Sequence, residues 1–172
     1  MFKTLANKYH SAIMHMPTDL PTQTCIFCEI VAGLAPCHQI WEDNNYMAFL
    51  SIFPNTEGFT VVIPKRHLSS YIFDHTSEEI NGLMGAAKEV SDLLVRRFPT
   101  VARTALIFEG YGVNHLHAKL IPLHGTKGGS WQKRVSHNIK TKFASYPGYI
   151  SSHDAARESD EKLAKIANFL KS

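Results

Sequence analysis

Over residues 113–121 the sequence VNHLHAKLI changes character with a period of two, and this alternation constrains the fold more than any other stretch of the chain. Side chains of a β-strand point alternately to opposite faces. A strand here presents Val113, His115, His117, Lys119 and Ile121 on one side, and Asn114, Leu116, Ala118 and Leu120 on the other. Neighbouring polar heads on the first face then lie about 6.5–7 Å apart. That is too far for direct hydrogen bonds between them, but it suits a phosphate-sized group held among them. A solvated polar face would give the same pattern. Two histidines and a lysine beside a Gly-rich turn weigh toward a functional surface.

The rest of the chain supplies partners for that strand. Two β-prone runs, 39–42 and 46–52, flank Asp43-Asn44-Asn45, which has the turn chemistry of a hairpin. A third strand, 59–64, follows the break at Pro54-Asn55 and Gly58. Thr76-Ser77-Glu78-Glu79 reads as a capping box. Ile80, Leu83, Met84, Ala87, Val90 and Leu94 then recur at helical spacing until Phe98-Pro99 stops the run. Strands 103–108 and 113–123 are joined by Glu109-Gly110-Tyr111-Gly112, whose glycines permit a tight link. In 159–171, Leu163, Ile166, Ala167 and Leu170 share one helical face. The pattern predicts five strands around one main helix, with a final helix docked on the domain.

Charge and length exclude several classes. A chain of 172 residues, 44% hydrophobic and 19% charged, suits one compact domain with an appendage rather than a disordered polymer. No apolar run approaches the roughly 20 residues of a membrane helix. A net charge of +3 is small for a protein that coats duplex nucleic acid, and it leaves small anionic molecules as the expected partners. Three cysteines without a secretory apolar segment argue for a reducing, cytoplasmic compartment. Residues 1–24, ending in a Pro- and Thr-rich stretch, read as an N-terminal extension. Residues 25–125 read as the domain, and 126–172 as a basic loop and C-terminal helix packing on it. The basic run Lys133, Arg134, Lys140 and Lys142, with His137 and Trp131, is either a solvated loop or a segment closing over an anion. Cys37 reads as a packed thiol. His124 reads as a surface histidine, with proton donation as the alternative.

Cys25-Ile-Phe-Cys28 has the spacing of two ligands on a zinc tetrahedron. His67, after Ile63-Pro64-Lys65-Arg66, and His115 are the candidates for the other two. Buried free thiols or a redox dithiol are the alternatives for the cysteines, and a redox dithiol would want a βαβ setting. A catalytic zinc on His67, His115 and His117 is a further arrangement. It lacks the downstream carboxylate that such sites usually carry.

Taken in order, Cys25-Ile-Phe-Cys28-Glu29-Ile30, Ile63-Pro64-Lys65-Arg66-His67 and Val113-Asn114-His115-Leu116-His117-Ala118-Lys119-Leu120-Ile121-Pro122 resemble the histidine triad (HIT) superfamily of nucleotide hydrolases and transferases. The resemblance spans about 100 of the 172 residues. It implies an α+β, HIT-like fold: a five-stranded antiparallel sheet with one main helix, plus the C-terminal helix, commonly paired as a homodimer. It places the histidine that attacks the α-phosphate on His117. It also implies that Cys25, Cys28, His67 and His115 match the ligands of zinc-containing bacterial members, where the ion is structural. The nucleoside pocket falls on Ile26, Phe27, Ile30, Phe49 and Ile52, each of which also suits a core.

Three departures qualify the match. Lys119 stands where most members have a third motif histidine. It keeps its charge at neutral pH and so suits phosphate binding better than proton shuttling. Ser51 replaces an Asp that faces the ribose in many members. The loop before the motif is shortened to Gly110-Tyr111-Gly112. The expected activity is cleavage at the α-phosphate of a nucleotide, from a phosphoramidate, a dinucleoside polyphosphate or a similar conjugate, through a nucleotidyl-histidine, with His117 and Lys119 catalytic. A zinc-stabilised nucleotide-binding protein with little catalysis and a nucleotidyltransferase are the alternatives.

Overall fold

Strands whose side chains are apolar at nearly every position need cover on both faces, and the two central strands of this chain receive it. The computed structural model describes residues 25–128 and 157–172. The elements in order are α1 (Ile26–Val31), β1 (Gln39–Glu42), β2 (Tyr46–Leu50), β3 (Thr60–Pro64), a 3-10 turn at Ile72–Asp74, α2 (Ser77–Arg97), β4 (Thr104–Ile107), β5 (Ala118–Pro122) and α3 (Asp160–Lys171). The strands form one antiparallel sheet in the order β1-β2-β3-β5-β4. This is the α+β architecture expected from the sequence.

Alternation along the strands sorts two cores. Ala48, Leu50, Val62, Leu116, Ala118 and Leu120 pack toward α2 and α3, against Leu83, Ala87, Val90, Leu94, Leu163 and Leu170. Met47, Phe49, Val61 and Ile63 pack on the other face against Ile30, Phe27 and Val31 of α1. Burying each of the larger of these side chains contributes about 1.5–3 kcal/mol, so the sheet is held from both sides.

Local chemistry sets the boundaries. The β1–β2 turn closes where the Asp43 carboxylate accepts from the backbone N–H of Asn45 and of Tyr46, at 2.7 and 2.6 Å. α2 begins with the capping box read in the sequence. Thr76 Oγ1 accepts from Glu79 N, and Thr76 N donates to Glu79 Oε2 at 3.0 Å. It ends before Pro99, with Arg96 and Arg97 at the negative end of its dipole. α3 is capped by Ser159 and buries the four residues read as its face, Leu163, Ile166, Ala167 and Leu170.

Four strands differ at their ends from the sequence expectation, β3 only in starting at Thr60 rather than at residue 59. β2 ends at Leu50, because Ser51 and Ile52 turn toward the loop before β3. β4 is confined to Thr104–Ile107. The last strand starts at Ala118, not at residue 113. Residues 112–115 bend, with His115 N donating to Val113 O at 2.8 Å, and the chain docks to its neighbour through Leu116 N and Leu68 O at 2.8 Å before the ladder begins. A period of two therefore survives in the burial of Leu116, Ala118 and Leu120, while His115 is released from the strand face. The basic run 133–142 and residues 1–24 lie outside the described residues.

Candidate active site and metal cluster

α1 is a short helix that the sequence pattern did not signal. Cys25 is its N-cap and Cys28 lies in its first turn. Residues three apart on a helix share a side, so both thiols face the same way, toward the end of β3 and the bend before β5. Cys28 Sγ lies 3.2 Å from His67 Nδ1 and 3.5 Å from His115 Nδ1, and Cys25 Sγ lies 3.5 Å from His115 Nδ1. The four donor atoms of Cys25, Cys28, His67 and His115 all fall within 4.8 Å of one another. Zinc bonds of about 2.0–2.3 Å arranged tetrahedrally put donors roughly 3.4–3.8 Å apart. The cluster is close to that spacing.

The protonation chemistry also fits a metal. His115 is fully buried, and its Nε2–H donates to Pro64 O at 2.9 Å, which leaves the Nδ1 lone pair facing the thiols. Burial pushes its pKa below the ordinary value, favouring the neutral ring a ligand must be. Burial and then the neighbouring Cys25 thiol push Cys28 up, a clash of like charge that a bound cation would relieve. His117 is not in this cluster, so an arrangement on His67, His115 and His117 does not form.

His117 is instead held as a base. It is 3% exposed, and its Nδ1–H donates to His115 O at 2.7 Å. Only Nε2 then carries a free lone pair. Phe27 stands edge-on to the ring at 5.6 Å between centroids. Desolvation lowers the pKa of His117 and Lys119 lowers it further, against opposing contributions from the His115 carbonyl and Glu109. The ring is neutral at neutral pH.

Lys119 is not an open cation. Its ammonium is ion-paired with the Glu109 carboxylate, and the two side chains are only 15% and 12% exposed. Sequence reading passed over Glu109 because it stood in a loop. The signal was the antiparallel register, Ile107 opposite Lys119, which places residue 109 just beyond the strand end on the same face.

The proposed nucleoside residues separate. Ile30 and Phe49 are buried in the second core and Phe27 packs against them. Ile26 and Ile52 are 43% and 38% exposed. Ser51 Oγ accepts from Phe53 N at 3.2 Å, a local turn bond. Two cavities lie away from His117. One, of about 210 Å³, is between the 54–59 loop and α3. The other, of about 820 Å³, is between the β2–β3 end and the start of α2. His124 is tied to Thr100 Oγ1 at 2.9 Å and to Glu57 O at 3.0 Å, consistent with a structural role.

An open antiparallel sheet of five strands, crossed by a capped helix and flanked by the His-x-His segment, defines an α+β class of protein. The chain belongs to the HIT domain family, whose model matches residues 32–126. That span includes His67, His115, His117 and Lys119 and begins after the two cysteines. The chain is 32% identical over 111 residues to protein hit of Bacillus subtilis, covering 62% of this chain and 76% of that protein. It is 30% identical over 99 residues to the adenosine 5'-monophosphoramidase of Schizosaccharomyces pombe, covering 58% of this chain and 74% of that protein. A zinc-bound histidine triad protein of Mycobacterium smegmatis shares the fold, with a TM-score of 0.62 at 22% identity, over 86% of this chain and 91% of that one. Among the described residues no helix is long and apolar enough to cross a membrane.

Proposed function

We propose that this protein is a nucleotide hydrolase acting at the α-phosphate, with His117 as the nucleophile. The observation that carries the reading is the 2.7 Å bond from His117 Nδ1–H to His115 O, which fixes the tautomer and leaves Nε2 as the reactive atom. Nε2 attacks phosphorus. The Nε2–P bond forms, the bond from phosphorus to the leaving group breaks, and a proton from solvent passes to the departing amine or oxygen, to be returned to solvent when water resolves the intermediate. Water then attacks phosphorus, releasing the nucleoside monophosphate and restoring the neutral ring. Lys119 and main-chain N–H groups face the charge that develops on the phosphate oxygens. The phosphoramidase activity named for the S. pombe relative supports an amine leaving group. Phe27, Ile30 and Phe49, with Ile26, Ser51 and Ile52 at the rim, form the nucleoside side of the site in this reading.

Cys25, Cys28, His67 and His115 hold zinc in the same proposal, and the ion supplies a structural tie between α1 and the segment leading into β5, which carries His117. Residues 25–125 form the catalytic unit, with 126–172 appended through α3. The protein works in the cytoplasm as a homodimer. A weaker catalyst that mainly binds nucleotides is the second reading, favoured by one observation: the cation that replaces the third histidine is already paired with Glu109.

The test is turnover of a purine nucleoside phosphoramidate together with mass spectrometry of the quenched enzyme. A nucleotidyl adduct on His117 and loss of turnover in His117→Ala are expected. Undiminished turnover in that variant removes the nucleophile. Nucleotide binding without turnover or adduct in the wild type selects the second reading.

A further inference from the structure

Glu109 has no role in the reaction as written, yet its position is closely specified. The β4–β5 register runs Thr104 to Pro122 and Ile107 to Lys119. Continued by two residues, it sets Glu109 across from His117. Gly110 follows with φ +71, and a Cβ there would meet Ser70 O at 3.0 Å, so the chain turns away immediately after the carboxylate has been delivered. A buried ion pair is poor stabilisation compared with apolar packing, because both charges lose their water. Its place on the face that carries His117, between Val61 and Ile107 on the neighbouring strands, points to use at the site.

Resting on the nucleotidyl-histidine reading above, we propose that Glu109 is a positioning residue for the reaction, holding the Lys119 ammonium beside His117 and cancelling its charge until a reacting phosphate competes for it. A free lysine would attract substrate and product phosphates as strongly as the transition state, which lowers KM without raising kcat. Pairing with Glu109 removes that ground-state pull and keeps Nζ in place for the charge that develops during transfer. Glu109 and Lys119 together thus occupy the role left vacant by the missing third histidine.

The experiment compares Glu109→Gln, Glu109→Asp and the double variant Glu109→Gln/Lys119→Met with the wild type. AMP binding is measured by calorimetry, phosphoramidate kinetics by kcat and KM separately, and folding by thermal melts. In Glu109→Gln, AMP affinity rises by about threefold or more as the lysine is unmasked, while kcat falls by roughly tenfold or more as Nζ loses its anchor. Glu109→Asp recovers part of kcat. In the double variant Glu109→Gln/Lys119→Met, AMP affinity returns to within about twofold of wild type, because the intact pair and the two neutral side chains carry the same net charge. This arm stands even where the single Glu109 variant does not fold. Unchanged or weaker AMP binding in folded Glu109→Gln overturns the proposal, as does a double variant well outside that twofold range. A wild type that binds AMP but turns nothing over removes the nucleotidyl-histidine reading, while the AMP affinities still judge the masking of Lys119 by Glu109.

Discussion

Phe27 lies edge-on against His117, ring centroids 5.6 Å apart at 81°, and the same ring touches His115 at 5.8 Å and Phe49 at 5.4 Å. The helix that carries Phe27 has its start fixed by Cys25 and Cys28, whose thiols meet His67 and His115. Whatever holds the cysteines therefore also sets the wall beside His117. α1 is six residues long and has no side-chain cap at its start, and a helix this short does not persist on its own. Its stability comes from the second core and from the cluster.

Metal removal should follow that chain of dependence. Treatment with a strong chelator, or Cys28→Ser, is expected to release about one zinc per chain and to lower the melting temperature by roughly 10 °C, as the loss of several kcal/mol would do in a protein of this size. Turnover should fall as well, since Phe27 and His115 lose their restraint. Elemental analysis alongside thermal melts checks both. A metal-free protein with an unaltered melt would remove the structural role assigned to the cluster.

In the proposed mechanism His117 forms the covalent bond to phosphorus, so His117→Ala should reduce phosphoramidate turnover by about 10³-fold or more. The substitution removes a buried ring, so a melt is needed beside the assay. His117→Asn keeps a polar group near His115 O, and it should fold more like the wild type while remaining inactive. Recovery of turnover in His117→Asn would argue against covalent chemistry at this position.

The fold was legible where side-chain pattern and local chemistry agreed. The run of Leu83, Ala87, Val90 and Leu94 behind Thr76 and Glu79, stopped at Pro99, left one outcome, and α2 took it. The four cluster residues were legible from the Cys-x-x-Cys spacing with His67 and His115 as the further candidates, and the resemblance aligned the same four, although Cys25 and His115 are 90 residues apart. The start of β5 was not legible. Residues 113–117 alternate like a strand, but His115 turns to the thiols and donates to Pro64 O, and such tertiary demands override a local period. Glu109 was hidden for a related reason: its partner is fixed by the register of two strands, which no single stretch of sequence prints.

Acid should loosen the start of α2. The Glu79 carboxyl is held below its ordinary value of 4.5, first by the backbone N–H and hydroxyl of Thr76 and then by Arg66. A depressed folded-state pKa means that the unfolded chain binds the proton more readily. The contribution is therefore present above 4.5 and is lost as pH falls through the lower folded-state value. Glu79→Gln should be less stable than the wild type at pH 7, with the difference shrinking as the melt is repeated down to about pH 3. A gap that stays constant over that range would show that the charge of Glu79 does not contribute.

The C-terminal helix should prove integral to the fold. Leu163 is fully buried among residues shared by α3 and the sheet, and α3 is further fixed by His38 Nε2–H donating to Asp160 Oδ1 at 3.0 Å and by Glu158 N donating to Ile52 O at 2.9 Å. Those polar links are largely exposed, so they set the position of the helix more than its energy. Leu163→Ala removes apolar volume from the core, and it should cost about 2–4 kcal/mol by denaturant titration. Asp160→Asn should leave the denaturation midpoint nearly unchanged. If the two variants reversed that order, α3 would be held chiefly by its surface charges, and residues 157–172 would be a clipped-on segment instead of the second layer of the core.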